Sequence, residues 1–139
     1  MTPAVRATPG YSGKSLSEKL GIRSGMRVAA KNAPRELSAW LAPLPEGAWL
    51  LGPRSRVAEC VLHFTSDRSD FAREMPPLVA SLPEGGIYWV CWPKKSSGTA
   101  TDVTENVIRA LVLPTGWVDV KVCAVSDVWS GLKFLRRRH

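Results

Sequence analysis

Cysteine is scarce in this 139-residue sequence, which has only Cys60, Cys91 and Cys123. The number is odd, the spacings are wide and no CxxC pair occurs. This argues against a disulfide framework and against a zinc site. Each cysteine lies in an apolar run, where a free thiol behaves as a small hydrophobic side chain. We therefore expect three inert thiols, no bound metal and a reducing compartment.

Long apolar runs are also missing. No segment reaches the roughly 18 apolar residues that a membrane span needs, and residues 1–14 lack the apolar core of a secretory signal. These absences predict a cytoplasmic protein with no membrane partner. Residues 1–14 contain prolines and glycines without periodicity, which predicts a flexible arm. Residues 15–139 are then long enough to form one domain.

Acidic residues are few, with 12 against 19 lysines and arginines, for a net charge of +7. The excess permits binding of nucleic acid or another anion without proving it. The basic residues are dispersed, apart from the run at 136–138, so nucleic acid is the more weakly supported partner. The six tryptophans suit a core, a pocket or an interface, and leave a homodimer open.

Short apolar runs alternate with segments of helical periodicity. Strands are predicted at 27–31, 48–51, 57–64, 87–92, 118–125 and 129–135. Helices are predicted at 15–20 (capped by Ser15), after Pro34, after Ser66 or Asp67 with a break or bend at the prolines 76 and 77, and from Asp102 with Glu105. Near-continuous apolar strands are typical of a sheet covered on both faces.

This order predicts an α/β fold: a three-layer, Rossmann-like arrangement around a mostly parallel sheet of about six strands. The run at 87–92 is the most apolar and is expected near the centre of the sheet. The last two strands are separated by Ser126 and Asp127, which predicts a C-terminal antiparallel hairpin at the edge.

Two sequence segments are similar to parts of a known fold with this order of strands and helices. The strand at 57–64 and the phrase Leu-Pro-Glu-Gly-Gly at 82–86, followed by an apolar strand, are similar to parts of the class I methyltransferase fold. The resemblance covers residues 27–135 and lacks one strand–helix unit. More closely, the segments 10–13, 92–95, 101–102, 118–125 and 129–132 resemble a family of small bacterial domains of unknown function. That resemblance implies no activity.

The residues that methyltransferases use for S-adenosylmethionine have no counterpart here. That fold binds the cofactor at a Gly-rich turn after the first strand, where the backbone approaches it closely. Residues 31–35 contain no glycine at this place, and residues 51–54 contain no carboxylate to hold the ribose. We therefore expect no cofactor, and a dinucleotide site is disfavoured by the same absences.

A basic loop after the most apolar strand is the best candidate for a ligand site. In an open α/β sheet, ligands bind beyond the carboxyl ends of the strands. Two lysines, several hydroxyls, a glycine and a helix start could hold an anion there. The residues predicted to bind the ligand are Lys94, Lys95, Ser96, Ser97, Gly98, Thr99, Thr101, Asp102, Lys121, Trp129 and Ser130. The alternative is a solvated loop.

Other chemistry-bearing residues have simpler interpretations. Gly13-Lys14-Ser15 ends like a P-loop, but Thr8 stands where that motif requires its first glycine. His63 lies in an apolar strand, which favours a buried histidine with satisfied hydrogen bonds. No nucleophile elbow, HExxH motif or carboxylate pair appears, so whether the chain is an enzyme stays open.

The leading hypothesis is a small domain that binds an anionic or phosphate-bearing ligand at the loop 94–99 without an identifiable catalytic centre. The first alternative is a degenerate methyltransferase-like enzyme. The second is a nucleic-acid or protein interaction module.

Overall fold

The apolar runs form the strands of one six-stranded sheet in the computed structural model, which describes residues 14–51 and 58–136. The elements are α1 Leu16–Lys19, β1 Arg27–Lys31, α2 Leu37–Leu41, β2 Trp49–Leu51, β3 Cys60–Phe64, α3 Arg68–Ser81, β4 Ile87–Pro93, α4 Glu105–Val112, β5 Trp117–Ala124 and β6 Trp129–Arg136. Single 3-10 turns lie at Lys95–Ser97 and Leu113–Thr115.

The strand order is β2-β1-β3-β4-β6-β5, and the sheet is mixed. β1 pairs in parallel with β2 and β3, and β3 pairs in parallel with β4. β6 is antiparallel to both of its neighbours. The α/β class and the six strands are confirmed, but the sheet is mixed rather than mostly parallel as predicted, because β6 is antiparallel to both β4 and β5. The C-terminal hairpin lies at one edge, but its second strand is the inner one, so β5 forms the edge.

Helices cover both faces of the sheet. On one face Phe71 of α3 and Ile108 of α4 pack with Tyr88 and Leu132. On the other face the short helices α1 and α2 pack against Trp89 and its neighbours. Every residue of β3 and β4 is buried, which explains why these strands lack polar alternation. β4 is one of the two middle strands, as expected.

Two of the predicted helix caps are confirmed and one is wrong. Ser15 and Glu18 form a capping box at α1, and Asp67 accepts a hydrogen bond from the Asp70 amide at α3. The prediction that Asp102 starts α4 is wrong, because the Thr104 side chain caps that helix. Asp102 instead accepts a hydrogen bond from the Arg68 amide at 2.7 Å.

The prolines at 76 and 77 do not divide α3, which runs unbroken over 14 residues. Both prolines are exposed, as are Ala72 and Arg73, whose carbonyls lose their helical partners. Solvent can bond these carbonyls, so the cost of interrupting the ladder is small on this side.

The β5–β6 turn is longer than predicted. It contains residues 125–128, because the amides of Val125 and Ser126 both donate to the carbonyl of Trp129. Residues 1–13 of the predicted arm, the start of the third strand at 57, the segment 52–54 and the basic residues 137–138 lie outside the described residues. Within the described ranges, no helix combines the length and the apolar character that a bilayer crossing requires.

Candidate functional site

The carboxyl edge of the sheet brings the loop 94–99 and the β5–β6 turn together. Trp129 at the start of β6 pairs with Pro93 at the end of β4. One residue on, the Lys94 amide donates a hydrogen bond of 2.7 Å to the Val128 carbonyl. The loop 94–99 and the β5–β6 turn therefore share one edge of the sheet.

Several polar groups of the loop are used to hold its own shape. Ser97 Oγ donates to the Lys94 carbonyl at 2.6 Å and accepts from the Thr99 amide at 3.2 Å. Gly98 has a φ of 76° and ends the 3-10 turn, a conformation that glycine adopts without strain. Lys95 and Ser96 are exposed and Lys94 is half-buried. Neither lysine forms an ion pair within the described residues.

Thr101 and Asp102 connect the loop to the start of α3. Thr101 Oγ1 donates to the Ser66 carbonyl at 2.7 Å and accepts from the Val103 amide. Asp102 bonds the Arg68 amide, which lies in the first turn of α3. These contacts give both residues a structural role, and their contact with a ligand stays a prediction.

The remaining predicted residues fall into two places. Trp129 is half-buried at the rim, with its ring edge-on to Phe64 at 5.1 Å between centroids, and Ser130 follows it opposite Trp92. Lys121 is not at the rim, since it pairs with Lys133. Lys133 lies four residues beyond Trp129 along β6, a distance of about 13 Å at the usual rise per residue.

A crevice of about 370 Å³ opens at the carboxyl ends of β1 and β2. Its lining residues are Ala30, Asn32, Ala33, Pro34, Arg35, Leu37, Ser38, Leu50 and Leu51. Asn32 has a φ of 58°, so this turn contains the left-handed residue that a glycine often provides, in a residue type that tolerates it. This crevice was not predicted from the sequence. An asparagine directly after a strand was the available signal.

A chain of hydrogen bonds runs inward from this crevice. Asn32 Nδ2 donates to Glu74 Oε1 at 2.9 Å, and the same oxygen lies 3.0 Å from His63 Nε2. His63 Nδ1 lies 2.7 Å from the Tyr88 hydroxyl. The network assigns Nε2–H as the donor to Glu74 and Nδ1 as the acceptor from Tyr88. His63 is fully buried with both nitrogens bonded, which confirms the prediction of a satisfied histidine.

Burial lowers the pKa of His63 below its ordinary 6.5, with a further lowering by Lys31 and an opposing effect of Glu74. The ring is therefore neutral at pH 7, and its contact with Glu74 is a hydrogen bond to a carboxylate rather than an ion pair. Burial alone would raise the pKa of Glu74, but the hydrogen bonds from His63 and Asn32 outweigh it, and the pKa is lowered. At neutral pH the network therefore consists of a neutral histidine between the Glu74 carboxylate and the Tyr88 hydroxyl.

The three thiols have the character expected of core residues. Cys60 and Cys91 are buried and Cys123 is half-buried, and all three are free. Burial raises the pKa of Cys60 to about 12, and it raises the pKa values of Cys91 and Cys123 as well. Because the thiolate is the reactive form, these thiols are unreactive at neutral pH.

No family model and no curated protein matches the chain, but its fold is similar to solved structures. A protein from Sulfolobus solfataricus classed as a type 11 methyltransferase aligns over 95% of this chain and 94% of its own, with a TM-score of 0.64 and 10% identity. A methyltransferase from Pyrococcus furiosus aligns over 88% and 80%, with a TM-score of 0.57 and 10% identity.

A protein from Bordetella parapertussis, described as a possible exported protein, aligns over 88% of this chain with a TM-score of 0.61 and 10% identity. The chain spans 66% of that protein, just under two thirds. At such identities the similarity shows the fold alone. The fold is Rossmann-like and methyltransferase-like, as the resemblance implied. Membership of the small bacterial family and a cytoplasmic location stay predictions.

Proposed function

We propose that this chain is a ligand-binding domain of methyltransferase-like fold that holds a phosphate-bearing ligand at the carboxyl edge of β4. The loop 94–99 supplies the contacts, and Thr101, Asp102, Trp129 and Ser130 frame it. The proposed role is to bind the ligand, and it includes no catalytic step. The domain is proposed to act in the cytoplasm, either alone or as a homodimer.

The proposal rests on two uncompensated lysines at the edge where α/β folds bind ligands. Lys94 and Lys95 have no carboxylate partner among the described residues. Of the carboxylates in the segments next to the loop, Asp67 and Asp102 accept hydrogen bonds from backbone amides of α3, and Asp127 in the β5–β6 turn forms no ion pair with either lysine. A ligand that reaches this rim therefore finds ammonium groups available as donors, which favours an anion.

The loop is also held in place before any ligand arrives. The Lys94 amide is bonded to the β5–β6 turn, and Ser97 closes the 3-10 turn. A preorganised loop loses little conformational entropy on binding. The exposed Ser96 hydroxyl can add a hydrogen bond to the same anion.

Replacing both lysines, as Lys94→Ala/Lys95→Ala, should weaken binding of inorganic pyrophosphate at this loop by about tenfold, which corresponds to about 1.4 kcal/mol. The estimate is modest because charge-assisted contacts are screened where the groups are exposed. Amide chemical shifts in a pyrophosphate titration measure it, with the largest changes expected at residues 95–99.

A matched control is Arg27→Ala/Arg136→Ala, which removes the same charge from exposed residues at the opposite edge of the sheet, where β1 begins and β6 ends. It should leave the dissociation constant at residues 95–99 within about twofold, since distant exposed charges are screened at moderate salt. An equal loss in the two variants, or no shifts at 95–99 in the parent protein, would remove the loop as the site.

The second candidate function is a methyltransferase-like enzyme, and the crevice beside Asn32 favours it. The crevice lies at the ends of β1 and β2. A glycine in this turn would allow a left-handed backbone conformation and a close approach to the cofactor, and Asn32 provides the left-handed conformation. The other requirement is close approach of backbone to cofactor, and Ala33 and Pro34 present side chains there. Among the described residues that line the crevice, Arg35 is the charged one, and none is a carboxylate that could hold a ribose.

Calorimetry with S-adenosylmethionine and S-adenosylhomocysteine tests this candidate. With no carboxylate for the ribose and no glycine in the turn, we expect neither binding heat nor a shift in Tm. Binding of either compound, lost in Ala33→Trp, would instead favour the enzyme. The variant Ser81→Trp, an exposed position on α3 outside the crevice, controls for the added bulk.

A further inference from the structure

Two lysines face each other across the C-terminal hairpin. Lys121 of β5 and Lys133 of β6 are directly paired residues. Like charges in this arrangement repel and destabilise a strand pair. The neighbouring carboxylate in β5, Asp119, does not relieve the repulsion, because it is bonded to Arg109 of α4 at 2.9 Å.

Lys133 is half-buried, and its ammonium lies against the turn that follows α1. A methyl group added at Gly21 would lie 3.1 Å from Lys133 Nζ. Burial lowers the pKa of Lys133, and the charges of Lys121 and Arg23 lower it further, while the thiols of Cys60 and Cys123 act in the opposite direction. The ionised groups close to this ammonium are therefore cations.

A further lysine extends this basic cluster. Lys19 of α1 lies within electrostatic range of Cys123, as do Lys121 and Lys133. Within residues 14–51 and 58–136, neither Lys121 nor Lys133 has an ion-pair partner.

We propose that Lys121 and Lys133, with Arg23 beside them, form a second anion site that takes a phosphate group between the two ammonium groups. A dianion replaces their mutual repulsion by two charge-assisted hydrogen bonds. Partial burial of Lys133 strengthens the attraction, because the effective dielectric constant there is lower than in water. The site is separate from the loop 94–99 and does not depend on it.

The phosphate could belong to a free polyphosphate or to the backbone of a nucleic acid, and the two sources differ in salt dependence. Affinity for a nucleic acid falls steeply with salt as counterions are released. Two probes separate them: inorganic pyrophosphate, and a single-stranded oligonucleotide of mixed sequence in a salt series.

The decisive variant is Lys121→Glu, which converts the repelling pair into an opposite-charge pair. We expect binding of pyrophosphate or oligonucleotide at this site to weaken by at least about tenfold. The Tm should stay the same or rise, because opposite charges across a strand pair are favourable. Lys121→Met, which keeps the apolar stem, should weaken binding by a smaller factor with no loss of Tm.

The variant Lys94→Ala/Lys95→Ala separates this site from the loop. In this variant, the amide shifts of residues 121 and 133 should report unchanged binding. In Lys121→Glu, the amide shifts of residues 95–99 should report unchanged binding. Tighter binding of the oligonucleotide, with a steep loss in salt, assigns the phosphate to a nucleic acid. Binding of pyrophosphate alone assigns it to a free ligand.

The proposal is overturned if neither probe shifts the amides at 121 and 133 in the parent protein. It is also overturned if Lys121→Glu binds both probes as tightly as the parent, or if its Tm falls as binding is lost. A third outcome separates the two proposals. If pyrophosphate binds at residues 95–99 and that binding is lost in Lys94→Ala/Lys95→Ala, while no binding is seen at 121 and 133, the proposed function stands and only this second site is removed.

Discussion

Replacing Trp89 by alanine should lower the free energy of unfolding by about 3–5 kcal/mol, the usual cost of deleting a large buried aromatic side chain. Trp89 is fully buried in β4. Its Nε1–H donates to the Leu20 carbonyl at 2.8 Å and so ties the sheet to the end of α1. Its ring also packs over Gly131, where a methyl group would lie 2.9 Å from Trp89 Cε3. Urea unfolding followed by circular dichroism measures the loss.

The matched control is Trp49→Ala. Trp49 is 64% exposed on the edge strand β2, so the same chemical change should alter the free energy of unfolding by no more than about 0.5 kcal/mol. Similar losses in the two variants would contradict the packing described for β4.

Replacing Glu74 by alanine should lower the free energy of unfolding by about 1–3 kcal/mol at pH 7.5, the cost of leaving a buried donor without a partner. Glu74 Oε1 is the acceptor for both His63 Nε2–H and Asn32 Nδ2–H. His63 is fully buried and cannot turn to water. Thermal and urea unfolding compared with the parent protein give the value.

The pH dependence of the parent protein provides a second readout of this network. The folded-state pKa of His63 is below its ordinary 6.5, so the unfolded chain takes up a proton first as the pH falls. Stability due to this group is therefore complete above pH 6.5 and is lost below it, at no more than about 1.4 kcal/mol per pH unit for one proton. The lowered pKa of Glu74 adds a loss in the same direction below its ordinary 4.5.

Glu84→Ala is the control for Glu74→Ala. Glu84 is exposed in the turn before β4, and its replacement should change the free energy of unfolding by no more than about 0.5 kcal/mol. A parent protein whose stability rises between pH 6.5 and pH 5 would contradict the neutral, buried state of His63.

Much of the fold could be predicted because the strands are coded locally. The apolar runs at 60–64 and 87–93 are bounded by polar or Gly-rich segments, and both became central strands. The cap of α1 at Ser15, and that of α3 at Ser66 or Asp67, could be predicted because a short polar side chain satisfies amides only two or three residues away, and the structure selects Asp67. The prolines of α3 misled the prediction, since whether a lost hydrogen bond matters depends on which side of the helix faces water.

The candidate sites were less predictable, because each depends on residues far apart in sequence. The hydrogen bond from Lys94 to Val128, which places the loop against the hairpin, spans 34 residues. Lys121 was predicted to bind the ligand together with the loop, but its pairing with Lys133, four residues beyond Trp129 along β6, puts it away from the loop. The crevice beside Asn32 forms only because β1 and β2 are adjacent strands of the sheet.

Composition and local pattern therefore determined the α/β class, the strands at the centre of the sheet, the neutral core cysteines and the basic character of the chain. These properties follow from burial and from hydrogen bonds within a few residues, which any short segment carries by itself. Only the tertiary structure decided which cations stand together and which carboxylates are already bonded. Charges attract and repel across space, so their partners are set by strand register and not by order along the chain.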